Sequence, residues 1–337
     1  MNINSQYELF AYHLSNIASY IKNKRPNLLL FIWHDVLQNL GDHLLTKYNL
    51  IKTINPVLWS YREDVNVEGF IQEPQAKTFA RFTTLWGASA FKGATSEISA
   101  MSDVKHYYIN QQSWINQLTT SIPRSWQNFD GMIICGWSRY DHFLSLCELL
   151  PYSIPSLAYS LAAWIDPFKQ TRVDIQSDQG LKQYVNTLLG CNPHAHLHMQ
   201  EHSSQQLPKC TFPGASIYEV IISLPNIWRQ VEQSEMFANK FVTDLHVKFK
   251  YIHVKRGEES LDQLKPSLMM LNNFITQFQT EMGKIFAPEV AIEWLETYFM
   301  QRYRKVKERV EFIEKAIHEK SWKPRPIPDA DKLDNKR

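Results

Sequence analysis

Residues 131–142 read GMIICGWSRYDH. A short apolar run ends in Trp137, and serine, arginine, tyrosine, aspartate and histidine follow at once. An unbroken apolar run of this length suits a parallel strand buried on both faces. Three earlier stretches have the same form. LLLFIW (28–33) leads into His34-Asp35, NPVLW (55–59) into Ser60-Tyr61-Arg62, and TTLW (83–86) into GASAFKGATS (87–96). Each of the four runs ends in tryptophan and passes into polar or small residues.

Helical patterns separate the runs. Residues 6–24 carry Leu9, Phe10, Leu14, Ile17, Tyr20 and Ile21 at helical spacing, closed by basic residues and Pro26. Residues 73–82 predict a shorter helix. Residues 103–119 predict another, capped by Ser102 or Asp103, and 142–150 continue the fourth strand into a helix. Alternation of this kind argues for a parallel sheet with right-handed crossovers. In a β/α barrel the carboxyl ends of the strands hold the active site. One tryptophan at a strand end is ordinary core, but four in succession point to a shared pocket. Indole faces stack on a pyranose ring, and neighbouring polar groups replace the water its hydroxyls lose, since an unpaired buried polar group costs about 1–3 kcal/mol.

The bulk numbers leave room for this. The chain has 337 residues, 44% of them hydrophobic, enough for one large domain or two smaller ones. A net charge of +2 gives no reason to expect a nucleic-acid or anionic-membrane partner. The first residues lack a basic region followed by an apolar core, and no run of about 18 apolar residues marks a membrane span. Cys135 and Cys147 sit in apolar patterns that suit reduced thiols, which with the missing leader suggests a cytoplasmic and nuclear address. Lys92-Gly93 is no phosphate cradle, because such a loop puts its lysine after the second glycine and a hydroxyl after the lysine.

Particular segments carry a family resemblance. LWGASAFKGATS (85–96), KHYYINQQSW (105–114) and GWSRYDHFLSLCELLP (136–151), extended by IPSLA (154–158), resemble a nucleocytoplasmic branch of the family-20 glycoside hydrolases. FPGASIYEVI (212–221) and PEVAIEWLE (288–296) extend the likeness more loosely. The resemblance implies a β/α barrel that removes terminal N-acetylgalactosamine or N-acetylglucosamine with no metal or organic cofactor. It also implies substrate-assisted catalysis. A glutamic acid protonates the glycosidic oxygen, and the preceding aspartate orients the substrate's acetamide, whose oxygen attacks the anomeric carbon. Tryptophans wall the acetamide, and a tyrosine hydroxyl bonds its oxygen.

Carried onto this chain, the resemblance proposes Trp33, Asp35, Trp59, Tyr61, Trp86, Lys92, Trp137, Arg139, Tyr140 and Asp141 as substrate-binding residues, with Tyr61 on the acetamide. Most have a plainer alternative: core packing for the tryptophans, a strand-end cap for Tyr61, an ion pair between Arg139 and Asp141, neutralisation of a carboxylate for Lys92. The family's catalytic Asp-Glu pair ends its fourth strand, and this chain opens on the helix expected after it. The four runs then count as strands five to eight, the C-terminal half of a TIM-type barrel, and the catalytic residues are unassigned. Glu63-Asp64 has the wrong order and follows the wrong strand. His34 stands where relatives have a carboxylate after the tryptophan, and Ser60 replaces an acidic residue. An incomplete gene product, a second chain or copy completing the barrel, and a non-catalytic carbohydrate-binding remnant all fit.

The expected organisation is a partial barrel over 1–165, linker and loops over 166–214, a mainly α-helical domain over 215–321 and a disordered tail over 322–337. Cys191, His194, His196, His198, His202 and Cys210 include zinc-ligand types, but their spacing fits no standard module and the segment reads as a loop, so no metal is expected. The C-terminal helices, predicted over 215–247 and 259–318, carry an apolar stripe from Trp294 to Ile317. Their opposite face mixes Arg302, Lys305, Lys307 and Arg309 with glutamates and reads as solvated rather than RNA-binding. The partner expected is a glycan or glycoconjugate with a terminal N-acetylhexosamine, not a nucleic acid or a membrane.

Overall fold

The computed structural model describes residues 5–121, 128–165, 178–193, 195–197 and 207–319. The chain divides into two compact units, Met1–Leu189 and Gly190–Arg337. In the first the order is α1 (Gln6–Lys24), β1 (Phe31–Trp33), α2 (His34–Leu37), α3 (Asp42–Lys47), α4 (Leu50–Thr53), β2 (Asn55–Trp59), α5 (Val67–Phe70), α6 (Glu73–Phe79) and β3 (Leu85–Lys92). Then come α7 (Val104–Asn116) with a π-helical turn (Gln117–Ser121), β4 (Phe129–Gly136), α8 (Leu150–Ala162) and α9 (Gln179–Leu188).

The strands form one parallel sheet in the order β1-β2-β3-β4. Each new strand adds beside the last, so every crossover carries its helices along one direction. One sheet face meets helices: Leu58, Leu85, Phe129 and Met132 pack with Leu14, Ala18, Phe79 and Trp114. The other face gathers Val57, Ala88, Ala90 and Cys135 with Tyr61, Trp86, Ile133 and Trp137. Small residues dominate its middle, and the tryptophans fill the space above them. β2 and β3 are buried along nearly their whole length, as parallel strands covered on both faces are.

Several expected boundaries move. β1 covers three residues rather than six, because its partner begins at Asn55, whose N–H donates to the Leu30 carbonyl at 2.7 Å. Leu28 and Leu29 lie before the ladder and are exposed. β3 begins at Leu85 and runs to Lys92, since β4 pairs with it as far as Gly136. Trp86 is therefore near the start of its strand and not at its end. The helix expected over 142–150 does not form before Leu150. In the preceding segment the Asp141 carboxylate accepts the Phe143 N–H at 3.0 Å, and Arg139 donates to the Leu144 carbonyl at 2.7 Å. Such local side-chain bonds compete with helical ones.

The second unit is helical: α10 (Ala215–Asn239), α11 (Asp244–Phe249), α12 (Val254–Met282), α13 (Pro288–Tyr298) and α14 (Met300–His318). Val310, Ile313 and Ala316 of α14 bury against Leu261 and Leu264 of α12 and Ala238 of α10. The polar face of α14 makes ion pairs, Arg302 to Glu235 at 3.2 Å and Arg304 to Glu296 at 2.6 Å. Cys191 and Cys210 form a disulfide, which closes the loop read as a candidate zinc segment and takes both sulfurs out of the ligand pool. His194, His198, His202, the 166–177 stretch and the 322–337 tail lie outside the described residues. Among the described residues no helix is long and apolar enough to cross a membrane.

Trp114 is fully buried beneath β2 and donates its indole N–H to the Ser60 carbonyl at 2.9 Å. Trp114→Ala is expected to destabilise the first unit by about 3–5 kcal/mol, measured by urea unfolding. A change below about 1 kcal/mol would contradict this packing role.

Candidate functional site

All four strands end at one cleft of about 500 Å³. β1 contributes Trp33 and, through α2, Asp35; β2 contributes Trp59 and Tyr61; β3 leads into Gly93 and Ala94; β4 leads into Trp137, Arg139, Tyr140, Asp141 and His142. Open parallel sheets bind ligands at this end, where backbone leaves the ladder and side chains converge. The structure brings together eight of the ten residues read from the sequence: Trp33, Asp35, Trp59, Tyr61, Trp137, Arg139, Tyr140 and Asp141. Trp86 and Lys92 do not line the cleft.

The aromatic rings form a continuous wall. Trp59 stacks on Tyr61 with centroids 5.2 Å apart, Tyr61 meets Trp137 edge-on at 6.4 Å, and Trp137 lies 5.8 Å from Trp33. Trp33 and Trp59 remain 37% and 38% exposed, so indole surface is available to a ligand. Trp86 sits one layer below. It packs edge-on to Phe31 at 5.0 Å, and a Cβ at Gly131 would come within 2.7 Å of its ring.

Burial pushes the Tyr61 hydroxyl's pKa well above the usual tyrosine value, and the neighbouring Cys135 thiol adds to the shift. The Trp137 indole beside it opposes the shift in part, although its Nε1 meets no acceptor in good hydrogen-bond geometry. Tyr61 thus stays a neutral phenol able to donate. Its backbone is held from α7: the Tyr61 carbonyl meets His106 Nε2 at 2.8 Å, and Asn110 Nδ2 bonds the carbonyls of Ser60, at 3.1 Å, and Arg62, at 2.5 Å. His106 and Asn110 stand one helical turn apart on α7, so both reach the backbone that follows β2. Glu63 points elsewhere, pairing with His106 Nδ1 at 3.3 Å.

His34 is 5% exposed and lies edge-on to both Trp59 and Phe79. It hydrogen-bonds the β2 backbone at Val57 and Trp59, the Trp59 N–H donating to Nδ1 at 3.4 Å. Burial lowers its pKa, with the adjacent Asp35 and the Val57 bond opposing. A buried neutral imidazole here ties the end of β1 to β2 rather than facing a ligand.

Lys92 is 2% exposed, and its ammonium donates to the Trp137 carbonyl. Desolvation lowers its pKa, opposed by Cys147 and Glu148. Gly93 has φ = 74°, and a Cβ there would lie 2.1 Å from the Trp137 carbonyl oxygen. The Lys-Gly pair therefore lets the ends of β3 and β4 close on each other. Glu148, Ala94 and His142 were missed in the sequence. The first is hidden behind a failed helix expectation, and the others carry no spacing signal.

No protein-family profile matches the chain. Human hexosaminidase D is 29% identical over 297 residues, covering 87% of this chain and 58% of the human protein. Hexosaminidase D from Bos taurus is 36% identical over 160 residues, 48% of this chain and 45% of that protein. The chain is similar to hexosaminidase D. It spans less than two thirds of the length of these curated relatives. The likeness to hexosaminidase D supports a hexosaminidase-like glycoside hydrolase family and accords with the motifs around Trp86, Tyr107 and Trp137.

Two outcomes follow from this geometry. Gly93→Ala combines a left-handed backbone with a clash against backbone, so a loss of at least about 2 kcal/mol is expected. Unchanged thermal stability would contradict the close approach. His34, with a folded-state pKa below 6.5, binds fewer protons folded than unfolded. Its contribution is fully present above pH 6.5 and is lost as the pH falls through that value toward the lowered one. His34→Gln is expected to flatten the fall in melting temperature on acidification; an identical pH slope in both proteins would contradict a buried neutral imidazole.

Proposed function

We propose that the sheet is one wall of a β/α barrel of the hexosaminidase-like glycoside hydrolases. Its cleft binds a terminal N-acetylgalactosamine or N-acetylglucosamine of a glycan. The carrying observation is the convergence of Trp33, Trp59, Trp137 and the neutral phenol of Tyr61 at the carboxyl ends of β1, β2 and β4. An apolar sugar face stacks on the indoles. Tyr61 donates to the acetamide oxygen, while Asp35, Arg139, Tyr140 and Asp141 stand where sugar hydroxyls need partners.

In the substrate-assisted route the acetamide oxygen is the nucleophile, and the protein supplies orientation and an acid. Orientation is what this cleft offers. Its carboxylates, Asp35 and Asp141, belong to no Asp-Glu pair, and Glu63 is turned to His106. That observation favours a second reading, carbohydrate binding without turnover by this chain alone.

Titration of tryptophan fluorescence separates these readings from a plain core. N-acetylgalactosamine is expected to bind at least about tenfold more tightly than galactose, and Trp59→Ala to weaken it by about tenfold, roughly 1.4 kcal/mol. Equal affinity for the two sugars, or none for either, would contradict the proposal. Release of 4-nitrophenol from its N-acetyl-β-galactosaminide tells hydrolysis from binding alone.

A further inference from the structure

Glu148 lies between β4 and α8 and faces away from the cleft, behind its wall. It is fully buried, and its φ of 38° is in the left-handed region that residues with a Cβ avoid. A residue held at that cost has a reason in its surroundings. One carboxylate oxygen accepts the Gly93 N–H at 2.8 Å, and the other accepts the Thr95 hydroxyl at 3.1 Å. The Tyr107 hydroxyl reaches both oxygens, at 3.2 and 3.3 Å. The backbone of Glu148 is fixed as well, its N–H donating to the Ser99 carbonyl at 2.9 Å.

The Gly93 N–H that Glu148 accepts shares one planar peptide unit with the Lys92 carbonyl, so holding the first holds the second. Lys92 grips Trp137 on both sides of its peptide: the ammonium donates to the Trp137 carbonyl, and the Trp137 N–H donates to the Lys92 carbonyl at 3.2 Å. Glu148 therefore controls two stretches of the cleft. Gly93 is held directly, Ala94 through the Tyr107 hydroxyl, which accepts its N–H at 2.9 Å, and Trp137 through Lys92.

We propose that Glu148 is a positioning residue, which fixes Gly93 and, through Lys92, Trp137, so that the sugar-stacking wall is formed before a ligand arrives. It touches no ligand and is not a catalytic residue. A preformed wall spares the ligand the ordering of loop and indole on binding. The inference deepens the sugar-binding reading, but its first test does not depend on that reading.

The test compares Glu148→Leu and Glu148→Gln with the unaltered chain by amide hydrogen exchange and by N-acetylgalactosamine titration. In Glu148→Leu, exchange at Gly93, Ala94 and Trp137 is expected to rise more than about tenfold, with amides of α10 and α12 unchanged. Affinity for the sugar is expected to fall about tenfold. Glu148→Gln keeps an oxygen for the Gly93 N–H and is expected to restore both readouts to within about threefold. Unchanged exchange at Gly93 and Trp137 in folded Glu148→Leu would overturn the proposal, as would a glutamine variant as impaired as the leucine one. If Glu148→Leu does not fold, the Thr95→Val, Tyr107→Phe pair removes two bonds to the carboxylate. It is expected to raise exchange at Gly93, and at Ala94, whose N–H loses the Tyr107 hydroxyl; no rise at Gly93 would overturn the proposal. If the unaltered chain binds no N-acetylgalactosamine, the sugar reading fails while the exchange comparison still decides the role of Glu148.

Discussion

The cleft depends on how backbone groups are satisfied where the strands stop pairing. A strand end buried under side chains leaves carbonyls and N–H groups that neither the ladder nor water reaches, and each must find a partner. α7 supplies most of them. Asn110 and Trp114 bond the Ser60 carbonyl, Gln111 bonds the Ala90 carbonyl at 3.0 Å, and Asn110 accepts from the Ala90 N–H at 3.4 Å. Ser156 of α8 donates to the Phe91 carbonyl at 2.7 Å. One helix face thus carries amide and indole groups for backbone rather than for a ligand. Tyr61, Gly93 and Trp137 stand where they do because the chain beside them is tied down.

This arrangement divides the polar residues into two layers. Asp35, Arg139, Tyr140 and Asp141 face the cleft, in part braced by their own loop. Lys92, Glu148, Tyr107 and Asn110 stand behind it, buried and committed to each other or to backbone. Glu148 has the raised pKa often associated with catalytic acids, caused chiefly by desolvation. Its full burial and its hydrogen bonds to Gly93, Thr95 and Tyr107 mark it as part of the framework.

Much of the fold was legible in the chain. Four apolar runs ending in tryptophan, separated by helical periodicity, carry the alternation of a parallel sheet, and residues after three of the runs converge at the cleft. The misreadings have local causes. Trp86 looked like a strand end because small residues follow it, yet Gly87, Ala88, Ser89 and Ala90 continue β3 beside β4. The 142–150 segment has helical composition, but Asp141 and Arg139 bind its backbone first, and Glu148 adopts a left-handed conformation no pattern announces. For Lys92 the sequence leaves both a ligand contact and neutralisation of a carboxylate open, because a charge beside glycine at a strand end suits either. The Trp137 carbonyl that its ammonium reaches gives it a structural use. The disulfide between Cys191 and Cys210 was equally invisible, since sequence separation says nothing of distance in space.

The central claim is that the carboxyl ends of β1 to β4 form a binding site for an N-acetylated amino sugar. A crystal structure of the protein with N-acetylgalactosamine tests it most directly. The account predicts a pyranose stacked on the indoles of Trp33, Trp59 or Trp137, with its acetamide oxygen within hydrogen-bond reach of the Tyr61 hydroxyl. A sugar bound away from these strand ends, or an empty cleft at saturating ligand, would contradict it.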